Sequence, residues 1–161
     1  GGGQAVFSHG LGYLTVLDTA TGAVRWTARP STAWPGVHIA AVADGRIVVT
    51  EPNDSGFAVT MAVLAADGCG ATTCTTLWTA RFAPFSLEGA LVAGGDLLWA
   101  VGTVEGGTDS GLHAFALAGC GAATCDPVSS TPGVVNAGPA IVHDGRLLMG
   151  GSIGVTAYGL P

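Results

Sequence analysis

An all-β chain built from about four copies of one small antiparallel sheet is what this sequence predicts, and three observations predict it. Turn dipeptides recur at a near-constant spacing, a C-x4-C pair recurs at a fixed place between them, and the composition favours strands over helices. The turns are "GGQAVF" (2–7), "DGRIVV" (44–49), "GGDLLW" (94–99) and "DGRLLM" (144–149), with Gly3, Gly45, Gly95 and Gly145 spaced 42, 50 and 50 residues apart. Asp-Gly and Gly-Gly between apolar runs accept positive φ in a two-residue hairpin, so each marks the turn between the first and second strands of a copy. A period near 50 residues is that of β-propeller blades, each a four-stranded antiparallel sheet.

The composition sets the bounds. A chain of 161 residues with 48% hydrophobic content makes one domain with a real core, and 27 glycines suit short strands and tight turns. Charged residues are only 10%, all five basic residues are arginines, and the net charge is -6, which excludes a basic surface for nucleic acid. No apolar run reaches 18 residues, so no transmembrane segment is expected in this chain. The opening "GGGQAVF" has neither a basic stretch nor an apolar one, so no signal peptide is expected there.

The remaining strands follow in order. Each third strand begins after a glycine, at Gly12, Gly56, Gly111 and Gly154, and carries a small residue at a matching place, Thr15, Ala62, Ala114 and Ala157. Small residues there fit close packing between neighbouring sheets. The fourth strand is clearest in "VRWTAR" (24–29) and "LWTAR" (77–81), whose Trp26 and Trp78 stand 52 apart. The third copy has "CDPVSS" instead, where Pro127 removes a ladder donor and marks a weaker edge strand.

The string "GYLTVLDTATGAVRW" together with "AVADGRIVV" resembles the repeat of pyrroloquinoline-quinone-type β-propellers, in which turn, strand, "LD-x-x-TG-x-x-x-W" and loop recur once per blade. The resemblance covers nearly the whole chain and is carried best by Leu17, Asp18, Thr21, Gly22 and Trp26. It implies a fold more than an activity, because most members are binding scaffolds and only some are quinone-dependent dehydrogenases. Those dehydrogenases hold the quinone over a tryptophan, near calcium and a disulfide between adjacent cysteines. This chain has no Cys-Cys dipeptide, so no cofactor residue is carried across.

The copies span about 1–33, 34–84, 85–133 and 134–161 of a single propeller segment. The first lacks its innermost strand and the last stops after its third, leaving open edges that proteins avoid. The expected partners are therefore the remaining blades of a seven- or eight-bladed ring, in an upstream segment or a second chain.

Cys69 with Cys74 and Cys120 with Cys125 fall between the third and fourth strands, each pair repeating after 51 residues. Flanking four-residue loops, the cysteines are expected to face one another across an antiparallel pair and to form two disulfides. A shared zinc site is the alternative, opposed by the outward splay of adjacent blades. Disulfides imply an oxidising compartment, hence secretion or the cell surface.

Alternating strand direction places the first turns and the cysteine loops on one face of the disc, and the loops between second and third strands, with the blade connectors, on the other. That second face holds the ligand candidates His9, Trp34, Glu51, Asn53, Asp54, Phe85, Glu105 and Asp109. Glu51, Asp54, Glu105 and Asp109 form a weak calcium pattern that lacks the dense D-x-D spacing, and turn-making is the plainer account of them. Trp34 and Phe85 offer stacking surfaces for sugar or peptide, or plugs between blades. His9, His38, His113 and His143 show no paired-ligand spacing, and no nucleophile elbow occurs. The expectation is a β-propeller that binds protein or carbohydrate, with no catalytic residues and no cofactor. A fragment of a quinone-dependent dehydrogenase, or a structural subunit assembling through its edges, are the other two readings.

Overall fold

The computed structural model describes residues 3–9, 12–30, 38–52, 59–83, 91–108, 110–134, 138–144, 146–151 and 154–159, with the backbone alone for Glu51, Pro52 and Val59. The described chain is β throughout. Its first sheet holds β1 (Gln4–His9), β2 (Tyr13–Asp18) and β3 (Val24–Pro30). The second holds β4 (His38–Ala43), β5 (Arg46–Pro52) and β6 (Val59–Ala65); the short β7 (Thr73–Cys74) follows, and β8 (Trp78–Phe82) completes that sheet. The third runs β9 (Leu91–Gly94), β10 (Leu97–Gly102), β11 (Gly111–Ala116) and β12 (Ser129–Pro132), and the fourth β13 (Ala140–His143), β14 (Arg146–Gly151) and β15 (Gly154–Gly159). These are β-propeller blades, meandering antiparallel sheets in which each strand pairs with the next. No described helix is long and apolar enough to cross a membrane.

Turn chemistry forms the blades as expected. Asp44 and Gly45 sit at φ 44° and 70°, the paired left-handed conformation that a two-residue hairpin demands, and Asp144 repeats it at 47°. Gly145 and Gly56 lie outside the described residues.

In the third sheet the register departs from the sequence alignment by one residue. Gly94 pairs with Leu97, so its turn is Gly95–Asp96, whereas Ala43 pairs with Arg46 around Asp44–Gly45. Asp96, not Gly95, is thus the equivalent of Gly45. Their carbonyls serve the same use, that of Asp96 accepting from Leu117 N and that of Gly45 from Ala66 N. A one-residue slip exchanges the two faces of a strand. It therefore removes Ala114 from the supposed row of small residues, and Ala157 falls outside that row although the fourth sheet's first turn matches Asp44–Gly45. Thr15 and Ala62 pair with the equivalent residues Phe7 and Val49, but Ala114 pairs with Trp99 and Ala157 with Leu148, one position over. His113, not Ala114, occupies the place of Ala62.

Three apolar cores lie between consecutive sheets. Leu14, Val16 and Ala28 pack on Ile47, Val49, Ala62 and Leu64; Val48, Met61, Trp78 and Phe82 pack on Leu98, Ala100 and Phe115; Trp99, Val101, Leu112 and Ala114 pack on Leu147 and Met149. Successive residues of β5 thus face opposite neighbours, the period-2 pattern of a strand buried on both sides.

Candidate ligand-binding face and the joints behind it

Both predicted disulfides are present, Cys69–Cys74 and Cys120–Cys125, with Cα separations of 5.5 and 5.7 Å. Their setting differs from the sequence expectation. The cysteines do not face each other across an antiparallel pair, because the fourth strand of the second sheet begins only at Trp78 and the connection from Ala65 is too long for a four-residue hairpin. Instead each disulfide closes a small excursion that reaches the preceding sheet. Thr73–Cys74 adds in parallel to the edge of β3, and Arg29 N donates to Thr72 O at 3.1 Å. The second excursion repeats this on β8, where Thr79 pairs in parallel with Thr124, Thr79 N donates to Ala123 O and Cys125 N donates to Thr79 O, both at 2.8 Å.

The two fourth-strand tryptophans complete these joints. Trp26 Nε1 donates to Ala66 O at 3.0 Å and Trp78 Nε1 to Leu117 O at 3.1 Å, each across to the next sheet. Under each indole lies a glycine of the cysteine excursion. A Cβ at Gly68 would sit 2.9 Å from Trp26 Cδ1, and one at Gly119 2.7 Å from Trp78 Cδ1, with φ at 88° and 93°. Glycine is required there for close approach and for backbone conformation together.

On the opposite, loop-bearing face, His9 ends β1. Its Nε2 lies 3.0 Å from Thr15 Oγ1, which in turn lies 3.0 Å from Thr27 Oγ1. The imidazole stacks on Tyr13 with ring centroids 5.7 Å apart, and the Arg29 guanidinium carbon lies 5.9 Å from the Tyr13 ring centre. Tyr13 and Arg29 were missed in the sequence. The signal was there in principle, since a tight β1–β2 turn puts His9 opposite Tyr13.

Glu105 is exposed, with its carboxylate 3.7 Å from Arg81 Nη1 and its backbone N donating to Arg81 O at 3.0 Å. The loop that carries it is thereby attached to the end of β8, where Phe82 pairs with Val104. Glu51 belongs to β5, and its side chain is not described. Trp34, Asn53, Asp54, Phe85 and Asp109 lie outside the described residues. Among the described residues no group of three or more His, Cys, Asp or Glu is placed to hold a metal ion.

His113, buried in the third sheet, is placed by both ring nitrogens: Nε2 lies 2.9 Å from Gly102 O and Nδ1 2.8 Å from Ser130 Oγ. Since a carbonyl only accepts, Nε2 carries the proton and donates to it. The ring meets Phe82 edge-on at 6.4 Å.

No protein-family model matches the chain, and no curated protein matches it in sequence. Solved structures do match in shape. The computationally designed Ika4 protein superposes with a TM-score of 0.66 at 13% identity, over 99% of this chain and 86% of that one. BamB from Moraxella catarrhalis gives 0.58 at 20% identity, over 98% of this chain and 43% of its own. A europium-containing methanol dehydrogenase gives 0.50 at 17%, over 82% and 23%. These likenesses show the fold alone, a β-propeller. This chain spans less than half the length of BamB and about a quarter of the dehydrogenase.

Proposed function

We propose that the chain is an extracellular segment of a larger propeller, completed by further blades to a ring of seven or eight, and that it binds protein or carbohydrate ligands on its loop face without catalysis. One observation carries this reading. The outward faces of the first and last sheets repeat positions that are buried at the internal joints. Phe7 is 51% exposed, while its equivalents Val49, Ala100 and Met149 are buried. At the other end Ile141 (59%) and Val155 (74%) flank Leu148, whose equivalents Val48 and Trp99 are buried. Exposed apolar surface at such places suits contact with another blade.

The two disulfides support an oxidising compartment. The rigid joints and the His9–Tyr13–Arg29 group support a scaffold that presents side chains at its loop edge. The competing reading, a piece of a quinone-dependent dehydrogenase, is favoured only by the likeness to an enzyme of that fold.

Adding pyrroloquinoline quinone with calcium to the purified protein separates the two. The binding-module reading expects no bound-quinone absorbance and no dye reduction. Stoichiometric quinone uptake with dye reduction contradicts it.

A further inference from the structure

The two cysteine excursions attach to the strands before them at places two residues apart. The tryptophans set the alignment: Trp26 and Trp78 bond to matching carbonyls of the next sheet, and Thr27 and Thr79 pair with the equivalent Thr15 and Ala62. At the second joint the excursion meets Thr79 itself, whose N–H donates to Ala123 O and whose carbonyl accepts from Cys125 N, both at 2.8 Å. The matching segment at the first joint, Thr72–Thr73, joins Arg29 instead, two residues beyond Thr27. The Thr27 hydroxyl turns away to Thr15 Oγ1 at 3.0 Å, whereas that of Thr79 donates to Ala123 O at 3.1 Å.

Alternate residues of a strand direct their N–H and C=O groups the same way, so Thr27, like Arg29, presents both to the outer edge of β3. An offset of two residues leaves about 7 Å of that edge without the excursion. An open cleft of about 380 Å³ lies there, lined by Trp26, Thr27, Cys69, Gly70, Ala71 and Thr72. That volume falls within the range of binding sites, about 300 to 1,000 Å³. Exposure follows the offset: Trp26 is half-buried and Thr27 exposed, while Trp78 is buried and Thr79 half-buried. The cleft belongs to an internal joint and to the outermost strand of its sheet, away from the inner edge of β1 and from the end faces of the arc.

The joint where the same place is filled shows what fits. There an extended, uncharged segment, Ala123–Thr124, adds in parallel, accepting with one carbonyl and donating with the N–H two residues on. The open cleft has no charged side chain among its lining, so it offers a charged ligand no partner. A main-chain donor and acceptor on one edge residue are the groups that strand addition uses, and the half-buried indole gives a small side chain an apolar surface.

We propose that the edge of β3 at Trp26–Thr27 docks an extended, uncharged peptide of a partner protein, which adds in parallel, accepts from Thr27 N–H, donates to Thr27 O and lays a small side chain on Trp26. The site depends neither on completion of the ring nor on the reading of the loop face.

The test is an amide chemical-shift titration of the isotopically labelled full chain with the disulfide-closed peptide GCGAATCD, which copies residues 119–126 and so carries the segment that fills the second joint. Saturable shifts are expected at the Trp26 indole N–H, Thr27 and Gly70–Thr72, with slower hydrogen exchange at the Thr27 amide. Methylating the peptide nitrogen that matches Cys125 removes one hydrogen bond and should weaken binding by about tenfold. Ala71→Arg, at an exposed position, fills the cleft and should abolish binding while leaving the rest of the spectrum unchanged. The proposal is overturned if the closed peptide does not saturate, if the shifts lie elsewhere, or if the methylated peptide or Ala71→Arg binds as tightly as its parent. It is overturned equally if the Thr27 amide is already strongly protected in the free chain, or if cellobiose saturates the cleft and the peptide does not.

Discussion

The three joints between sheets are not built alike. At the first two, a tryptophan of the fourth strand lies on a glycine of the next sheet and donates to its backbone, and a disulfide-closed excursion from that sheet adds to the edge of the strand. At the third joint Ser129 stands where Trp26 and Trp78 stand in their sheets. The core there is filled instead by Trp99 from the second strand, buried with its Nε1 unpartnered among the described residues. Its closest approach is on the innermost strands, where a Cβ on Gly94 would sit 2.6 Å from Val142 Cβ. Two joints are thus pinned by directional bonds at the rim, while the third rests on packing nearer the axis. The fourth-strand tryptophan and the cysteine excursion act as one device.

The largest effect that would break this comparison is at the centre of the second joint. Trp78→Ala should cost about 3–5 kcal/mol, as for a fully buried large aromatic, measured by denaturant unfolding. Trp26→Ala should cost less, because its indole is only half buried. Equal losses would show that burial does not separate the joints. Next comes Gly119→Ala, which must both adopt φ 93° and displace the Trp78 ring; a loss of about 1–3 kcal/mol is expected from overpacking. Reducing the Cys69–Cys74 disulfide, or replacing both residues by serine, closes no long loop, so the loss should be under about 3 kcal/mol in the loop-entropy picture. It should appear as faster amide exchange at Arg29 and Thr73 before any global change.

Trp99→Phe sharpens the contrast from the other side. It removes an unanswered N–H as well as some volume, so its net cost should be smaller than that of Trp78→Phe, which forfeits the bond to Leu117 O. A cost equal to that of Trp78→Phe would mean that the indole N–H bonds carry no weight in the joints.

The smallest effect concerns the β2–β3 turn. The Arg25 guanidinium, 2.6 Å from Asp18 Oδ2, with the Thr21 and Ala20 donors, holds the Asp18 carboxyl at about 2, below its ordinary 3.8. A depressed carboxyl stabilises the fold above its unfolded value and loses that contribution as pH falls from about 4 towards 2. Asp18→Asn should therefore flatten the stability profile of the folded chain over that window, with a small loss of stability at pH 7 that disappears by pH 2.

Much of this was legible in the sequence because it depends on local rules. Asp-Gly turns, strand alternation, the 51-residue recurrence of the cysteines and the recurring Trp26 and Trp78 each declare themselves within a few residues. What escaped depended on register or on neighbours. The Gly95–Asp96 slip is invisible when Gly-Gly and Asp-Gly are aligned by their glycines, since both dipeptides serve a two-residue turn. The cysteine excursions were read as hairpins because parallel addition to another sheet leaves no trace in spacing. His113 and Tyr13 are set by which side chains meet across strands, and no single strand encodes that. Of the ligand-face candidates, His9 and Glu105 have described partners, and the side chains of the rest lie outside the described residues.

The claim that tryptophan and disulfide excursion brace the first two joints is tested most directly by native-state amide exchange resolved by sheet. The account predicts that β13–β15 open at a lower free energy than β4–β8, and that Trp78→Ala brings the second joint down toward the third. Protection of β13–β15 equal to or above that of β4–β8 would contradict it.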